Sequence, residues 1–131
     1  MSDVLRTMEP DPTFDADAYA ETVEAWAAVA DEVTVRVWGG DWCPDCRAAL
    51  PPLAAALAAA GVPEERVEQY PVEKADDGSK VGPLVEEYDI DLIPTVVVER
   101  DGEEVARFVE SESVPAAVYL ANRLREQGLT A

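Results

Sequence analysis

A chain of 131 residues, 48% of them hydrophobic, holds enough apolar material for one packed core and too much for a disordered acidic tail. Its 28 acidic and 10 basic residues leave a formal charge of −18, which excludes the basic footprint that nucleic acid or an anionic membrane surface requires. Two cysteines and no histidine exclude a disulfide framework and a conventional four-ligand structural zinc site, so a lone CxxC points to redox chemistry.

In chain order, Met1-Ser2-Asp3 lacks the basic and apolar regions of a secretory signal, so a cytoplasmic protein is the expectation. Residues 1–13 carry few structural cues beyond Val4-Leu5, a candidate short edge strand. A helix is predicted from Asp15, a good N-cap, with Phe14 and Tyr19 at the two positions of a hydrophobic staple. Tyr19, Val23, Trp26 and Ala30 recur at helical spacing, while Asp17, Glu21 and Glu24 face water. Val33-Thr34-Val35-Arg36-Val37-Trp38 is β-branched and alternating, a strand that ends in Gly39-Gly40. Pro44 to Ala60 is a helix with Leu50, Leu53 and Leu57 on one side, bent at Pro51 and closed by Gly61. Its uncharged part, Ala48 to Val62, is shorter than the roughly 20 apolar residues of a bilayer helix.

Arg66 to Val72 reads as a strand and residues 75–79 as a loop; Val81, Leu84, Val85 and Tyr88 mark a short helix. Thr95-Val96-Val97-Val98-Glu99 after Pro94 is a strand, Asp101-Gly102 a hairpin turn, and Glu104 to Val109 the returning strand. Ser113 caps a final helix carrying Val114, Val118, Ala121 and Leu124. The order αβαβαββα, without repeat or linker, predicts one α/β domain over residues 1–131, with parallel strands followed by an antiparallel hairpin.

The chemistry centres on Trp42-Cys43-Pro44-Asp45-Cys46, where a strand turns into a helix. A thiol attacks a disulfide as thiolate, and a helix N-terminus supplies unpaired N–H groups and partial positive charge to stabilise one. Cys43 falls at that terminus and is expected to be the solvent-accessible nucleophile, with Pro44 in the first-turn position that suits proline. Cys46, three residues on and more buried, lies on the same face and resolves a mixed disulfide by attacking Cys43.

From about residue 14 to 127 the sequence resembles the thioredoxin family. Trp42, the dithiol, Pro51, Ile93-Pro94-Thr95 and the Asp101-Gly102 hairpin carry the resemblance. It implies a thioredoxin fold, a central mixed sheet of four or five strands flanked by helices. It also implies a cis Pro94 packed against the dithiol and an Ile93 backbone offered to an extended substrate. The Pro44-Asp45 dipeptide looks like that of the thioredoxin-related protein of 14 kDa, whose reach includes small disulfides. Asp45 should oppose thiolate formation and favour reducing chemistry.

The sequence departs from the family where Val37 holds the place of a buried aspartate, Gln69 that of its lysine neighbour, and Val109-Glu110-Ser111 that of a glycine. The implied function is a thiol–disulfide oxidoreductase without metal or cofactor beyond the Cys43–Cys46 disulfide. Its partners would be disulfide-bearing proteins or small disulfides and a thioredoxin-type reductase, with neither nucleic acid nor membrane, and the protein a monomer. A binding adaptor on the same fold and a disulfide oxidant or isomerase are the alternatives. Trp42 is expected to lie against the dithiol, Trp26 and Trp38 in the core. Arg47 is either an aid to thiolate or anionic substrate or a solvated helix residue; Tyr70 and Lys74 border the loop at 75–80. The dispersed acidic residues, with abundant alanine and only two lysines, resemble the proteins of salt-accumulating microbes.

Overall fold

Alternation of valine with Thr34, Arg36 and Trp38 makes β1, Val33–Gly39, a strand that can be covered on both faces, and it sits at the centre of the sheet. The computed structural model describes residues 5–110 and 114–128. On one side β1 runs parallel to β2, Val67–Pro71, with Val35 opposite Val67. On the other it runs antiparallel to β5, Thr95–Arg100, with Val35 opposite Val98. β6, Glu103–Val109, pairs with β5 and completes the order β2-β1-β5-β6. A parallel pair joined through a helix and extended by an antiparallel hairpin is the core of the thioredoxin fold.

The hairpin turns on Asp101 and Gly102, both with positive φ (55° and 82°), the geometry whose twist suits two-residue loops. Among the described residues no helix is long and apolar enough to cross a membrane.

Three helices pack on one another: α1, Ala20–Ala28; α2, Pro44–Ala59; and α3, Ala116–Glu126. α2 is the crossover between β1 and β2, and it brings Leu50 and Cys46 against Gly39 at the end of the central strand. It passes unbroken through Pro51-Pro52, although neither proline offers an N–H to the preceding turn. The Pro51 carbonyl accepts the Asp11 N–H at 3.1 Å, tying the N-terminal segment to the helix. Gly61, at φ 81°, ends α2: its N–H reaches the Ala58 carbonyl and the Val62 N–H that of Leu57, a Schellman motif.

Three expectations are corrected. Regular helix begins at Ala20, because Asp15 caps only a preceding turn, accepting the N–H groups of Asp17 and Ala18 at 3.0 and 3.3 Å. The staple contact forms on that turn, with the Phe14 and Tyr19 rings stacked. Leu5 is extended but unpaired as a strand, since its N–H goes to the Gln69 side chain at 2.6 Å; Val4 lies outside the described residues. The short helix over Val81–Tyr88 is replaced by turns. Lys80–Val81, β4, pairs with Glu73–Lys74, β3, in a separate two-stranded sheet. Pro83 then withholds an N–H, and Leu84 and Asp89 at φ 60° and 56° leave the right-handed helical region. Ser113 lies outside the described residues; α3 starts after Pro115, without a side-chain cap.

Those turns cover the second face of the sheet. The Trp38 ring packs between Tyr70, stacked at 4.8 Å, and Tyr88, tilted at 4.9 Å, and its Nε1 donates to the Pro83 carbonyl. Beside it Arg36 donates to Glu99 at 2.8 Å, to Glu68 at 3.0 Å and to the Tyr70 hydroxyl, while the Tyr88 hydroxyl donates to Glu99 at 2.6 Å. Burial pushes the Glu99 carboxyl up, but the hydrogen bonds from Tyr88 and Arg36 outweigh it and leave it below the ordinary value. A lowered carboxyl stabilises the fold above its unfolded value and loses that contribution as pH falls through the folded one. Glu99→Gln should therefore lower stability by about 1–3 kcal/mol at neutral pH. Urea melts of the two proteins from pH 7 to pH 3 should show the gap closing below the ordinary glutamate range. A gap independent of pH would mean that the charge of Glu99 contributes nothing.

Candidate active site

The site forms where β1 ends and α2 begins. Cys43 is the N-cap of α2, extended at φ −89°, ψ 121°, and Pro44 occupies the first helical position, where no N–H is missed. The Cys43 backbone is fastened on both sides: its N–H donates to Gly40 and its carbonyl accepts from Arg47, each at 3.0 Å. This aims the open end of the helix at sulfur, and the Cys46 N–H donates to Cys43 Sγ at 3.4 Å. The two cysteines are free thiols on adjoining positions of the first turn.

Cys43 is less open than the sequence suggests. It is only 6% exposed, against 0% for Cys46, so the order holds but the access is a narrow window. The cover comes from across the sheet, where the Ile93–Pro94 peptide bond is cis and both residues are buried. The Ile93 carbonyl is 3.9 Å from Cys43 Sγ and accepts from the thiol. Thr95 at the start of β5 donates to the Leu92 carbonyl at 2.6 Å and fixes this loop from below. The Pro94 carbonyl accepts the Glu110 N–H at 2.7 Å, which ties the loop to the end of β6. Glu110, where the family has glycine nearby, holds φ 59°, a conformation a side chain disfavours by about 1–2 kcal/mol.

Cys46 is sealed. A Cβ on Gly39 would lie 2.9 Å from Leu50, 3.4 Å from the Cys46 sulfur and 3.5 Å from Leu5, so the floor beneath the Cys46 thiol is apolar and favours glycine. Burial pushes this thiol up to about 12; a hydrogen bond from the Gly40 backbone works the other way, and Cys43 and Asp45 add to the rise. Val37, at the place of the family's aspartate, is fully buried, and Gln69 is committed to Leu5. Asp45, exposed in the first turn of α2, makes no side-chain hydrogen bond or ion pair among the described residues.

Trp42 flanks the site from the β2 side. Its ring lies over Gly40, where a Cβ would meet Nε1 at 2.4 Å, and Nε1 donates to the Val72 carbonyl at 2.9 Å. Trp42 is 42% exposed, and its contacts run to Gly40 and Val72. Trp26 and Trp38 are fully buried away from it. Arg47 donates to the Asp41 carbonyl at 2.9 Å, and Tyr70 belongs to the Arg36 network, so neither is aimed at the thiols. Lys74 lies exposed in β3.

Asp41 is a positioning residue that no motif announces: its carboxylate accepts the Arg6 and Thr7 N–H groups at 3.2 and 3.0 Å, holding the N-terminal turn, and with it Leu5, beside Cys46. Among the described residues no cluster of three or more Cys, Asp or Glu side chains is placed to hold a metal ion.

No protein-family model matches the sequence, and no curated protein does. Among solved structures, a Pseudomonas aeruginosa protein described as of unknown function is 21% identical, with 85% of this chain and 74% of that one aligned at a TM-score of 0.51. A mutant thioredoxin from Halobacterium salinarum is 20% identical over 94% of each chain, at 0.49. Oxidised thioredoxin O2 from Arabidopsis thaliana is 18% identical over 93% of this chain and 96% of that one, at 0.47. At these identities the likeness concerns the fold.

The raised Cys46 thiol has a measurable consequence. As long as Cys46 keeps its proton in the reduced form, each two-electron reduction takes up at least one proton. The midpoint potential of the Cys43–Cys46 couple should then fall by at least about 30 mV per pH unit from pH 9 to pH 11. Equilibration with a thiol buffer of known pH dependence measures the slope. A potential that levels off near pH 9 would place both thiols in the ordinary cysteine range.

Proposed function

We propose that this protein is a dithiol reductant: it transfers two electrons from Cys43 and Cys46 to a disulfide of a protein or small molecule. The observation that carries the reading is the Cys43 sulfur at the N-terminus of α2, within 3.4 Å of the Cys46 N–H and facing the buried Ile93–Pro94 bond. The Cys43 thiolate attacks one sulfur of the substrate and expels the other as a thiolate, which takes a proton. A mixed disulfide remains. Cys46 gives up its proton and attacks Cys43 Sγ, releasing the second substrate thiolate and closing the Cys43–Cys46 disulfide.

Because Val37 supplies no carboxylate beneath Cys46, its proton leaves by way of Asp45 at the mouth, water or another group. Trp42 and the Ile93–Pro94 backbone are the surfaces against which an extended substrate lies, and Pro44 shapes the turn that exposes Cys43. The disulfide is reduced again by a thioredoxin-type reductase, and no metal or other cofactor takes part. A single-domain monomer working in the cytoplasm fits this reading.

Cys46→Ser should accumulate mixed disulfides on exposure to substrate, and Cys43→Ser should not; equal trapping by both would remove Cys43 as the nucleophile. The potential at pH 7 should lie nearer to about −270 mV than to about −120 mV. Asp45→Gly should raise it, since a carboxylate beside the dithiol disfavours the thiolate. A wild-type value above about −180 mV would make the protein an oxidant or isomerase.

The acidic surface belongs to the same proposal: it suits a cytoplasm rich in salt. At a formal charge of −18 the folded chain repels itself, and ions relieve this within about 3 Å at molar concentration. The melting temperature should rise steadily from 0.1 M to 2 M KCl, and a flat profile would leave the charge without that role.

A further inference from the structure

A groove of about 580 Å³ opens between the 11–19 segment, α2 and α3. Along α2 it is lined by Asp45, Ala48, Ala49 and Pro52, spaced i, i+3, i+4 and i+7, so its helical wall starts at Asp45 within the dithiol motif and runs away from it, with neither cysteine in the lining. Its opposite wall is aromatic: the Phe14 and Tyr19 rings stack 5.4 Å apart and within 15° of parallel.

Charge around this apolar trough has one sign. Asp11, Asp15, Asp45 and Glu110 line it, and among its described lining residues there is no lysine or arginine. Asp11 and Asp15 engage only Oδ1 with neighbouring groups, and the Asp45 and Glu110 side chains have no partner among the described residues. Glu110 also links the groove to the site, since its N–H holds the Pro94 carbonyl. It keeps a side chain at φ 59°, where glycine is more easily accommodated, and such strain concentrates at functional sites.

Resting on the reductant reading above, we propose that this groove is a specificity subsite for the chain next to the substrate disulfide, and that it selects a peptide carrying an aromatic residue and a lysine or arginine. The aromatic side chain would lie between Phe14–Tyr19 and the alanines of α2. The cation would sit over the ring faces and among the four carboxylates, a contact both π-faces and anions favour. A substrate with a glutamate in that place would meet like charge on every side.

The overall charge of −18 attracts any cation at long range, so the comparison belongs in 2 M KCl, where only direct contacts survive screening. Two mixed disulfides of 2-mercaptoethanol, with N-acetylated, C-amidated Cys-Phe-Lys and Cys-Phe-Glu, differ in one charge and share their sulfur chemistry. We expect kcat/KM to favour the lysine peptide on the order of threefold or more. The Asp11→Asn/Glu110→Gln double variant, which keeps the Asp11 Oδ1 acceptor, should abolish that preference. The remote Glu126→Gln should retain it. Equal rates for the two peptides, or a preference that survives the double variant, would overturn the subsite.

The S-methyl form of the lysine peptide contains no disulfide and tests the groove without turnover. It should shift the amide resonances of Ala48, Ala49 and Phe14 and leave Lys74 unmoved. Reduction of neither peptide would defeat the reductant reading, and this titration would still decide the groove. No shift there overturns it.

Discussion

Everything in this molecule depends on how tightly the first turn of α2 meets the end of β1. The helix must place its unpaired N–H groups at Cys43 while its second cysteine is taken wholly out of water. Both need a backbone without side chains at the join. Gly39 lets Leu50 and the Cys46 sulfur approach, and Gly40 gives the Trp42 ring its seat. A residue with a Cβ at Gly39 would have to push back Leu50, which is fully buried in the core, so the two glycines are packing requirements more than turn signals.

The two thiols consequently differ in environment although they are three residues apart. One lies at the mouth, under a carbonyl from the Ile93–Pro94 loop; the other lies by Gly39 with the apolar side chains of Leu5 and Leu50. Val37, fully buried in β1, offers no proton acceptor to the pair. Cys46 is the thiol that burial pushes up. Asp45, the carboxylate within the motif, is on the solvent side.

Charge is treated in three ways. Most of the described acidic residues are exposed and make no ion pair, and their mutual repulsion is a matter for the ionic medium. Behind the sheet, Arg36, Glu99, Tyr70 and Tyr88 form a part-buried network in which both Glu99 carboxylate oxygens and both tyrosine hydroxyls have partners, and it fastens the turns at 83–90 to β1 and β5. That region has the least regular backbone of the fold, and side-chain bonds take over where a helix is lacking. Glu110 shows a third arrangement, a charged residue kept in a backbone conformation suited to glycine at the edge of the site.

The sequence alone determined the four strands of the main sheet, α2 and its caps, the hairpin turn and the cysteine pair at a helix start, because each is written in neighbouring residues: β-branched alternation, proline at the first helical position, Asp-Gly between two strands. The segment from Val81 to Tyr88 forms a short strand and turns instead of the predicted helix, because spacing of apolar residues records which side is covered, and turns with left-handed Leu84 and Asp89 cover Trp38 as a helix would. Only the tertiary structure decided what surrounds the sulfurs. The Ile93 carbonyl over Cys43, the Leu5 floor held by Asp41 and Gln69, and the groove from Asp45 to Phe14 join residues far apart along the chain. Exposure and proton affinity are sums over such neighbours, so a motif can name the two thiols while long-range packing sets how each behaves.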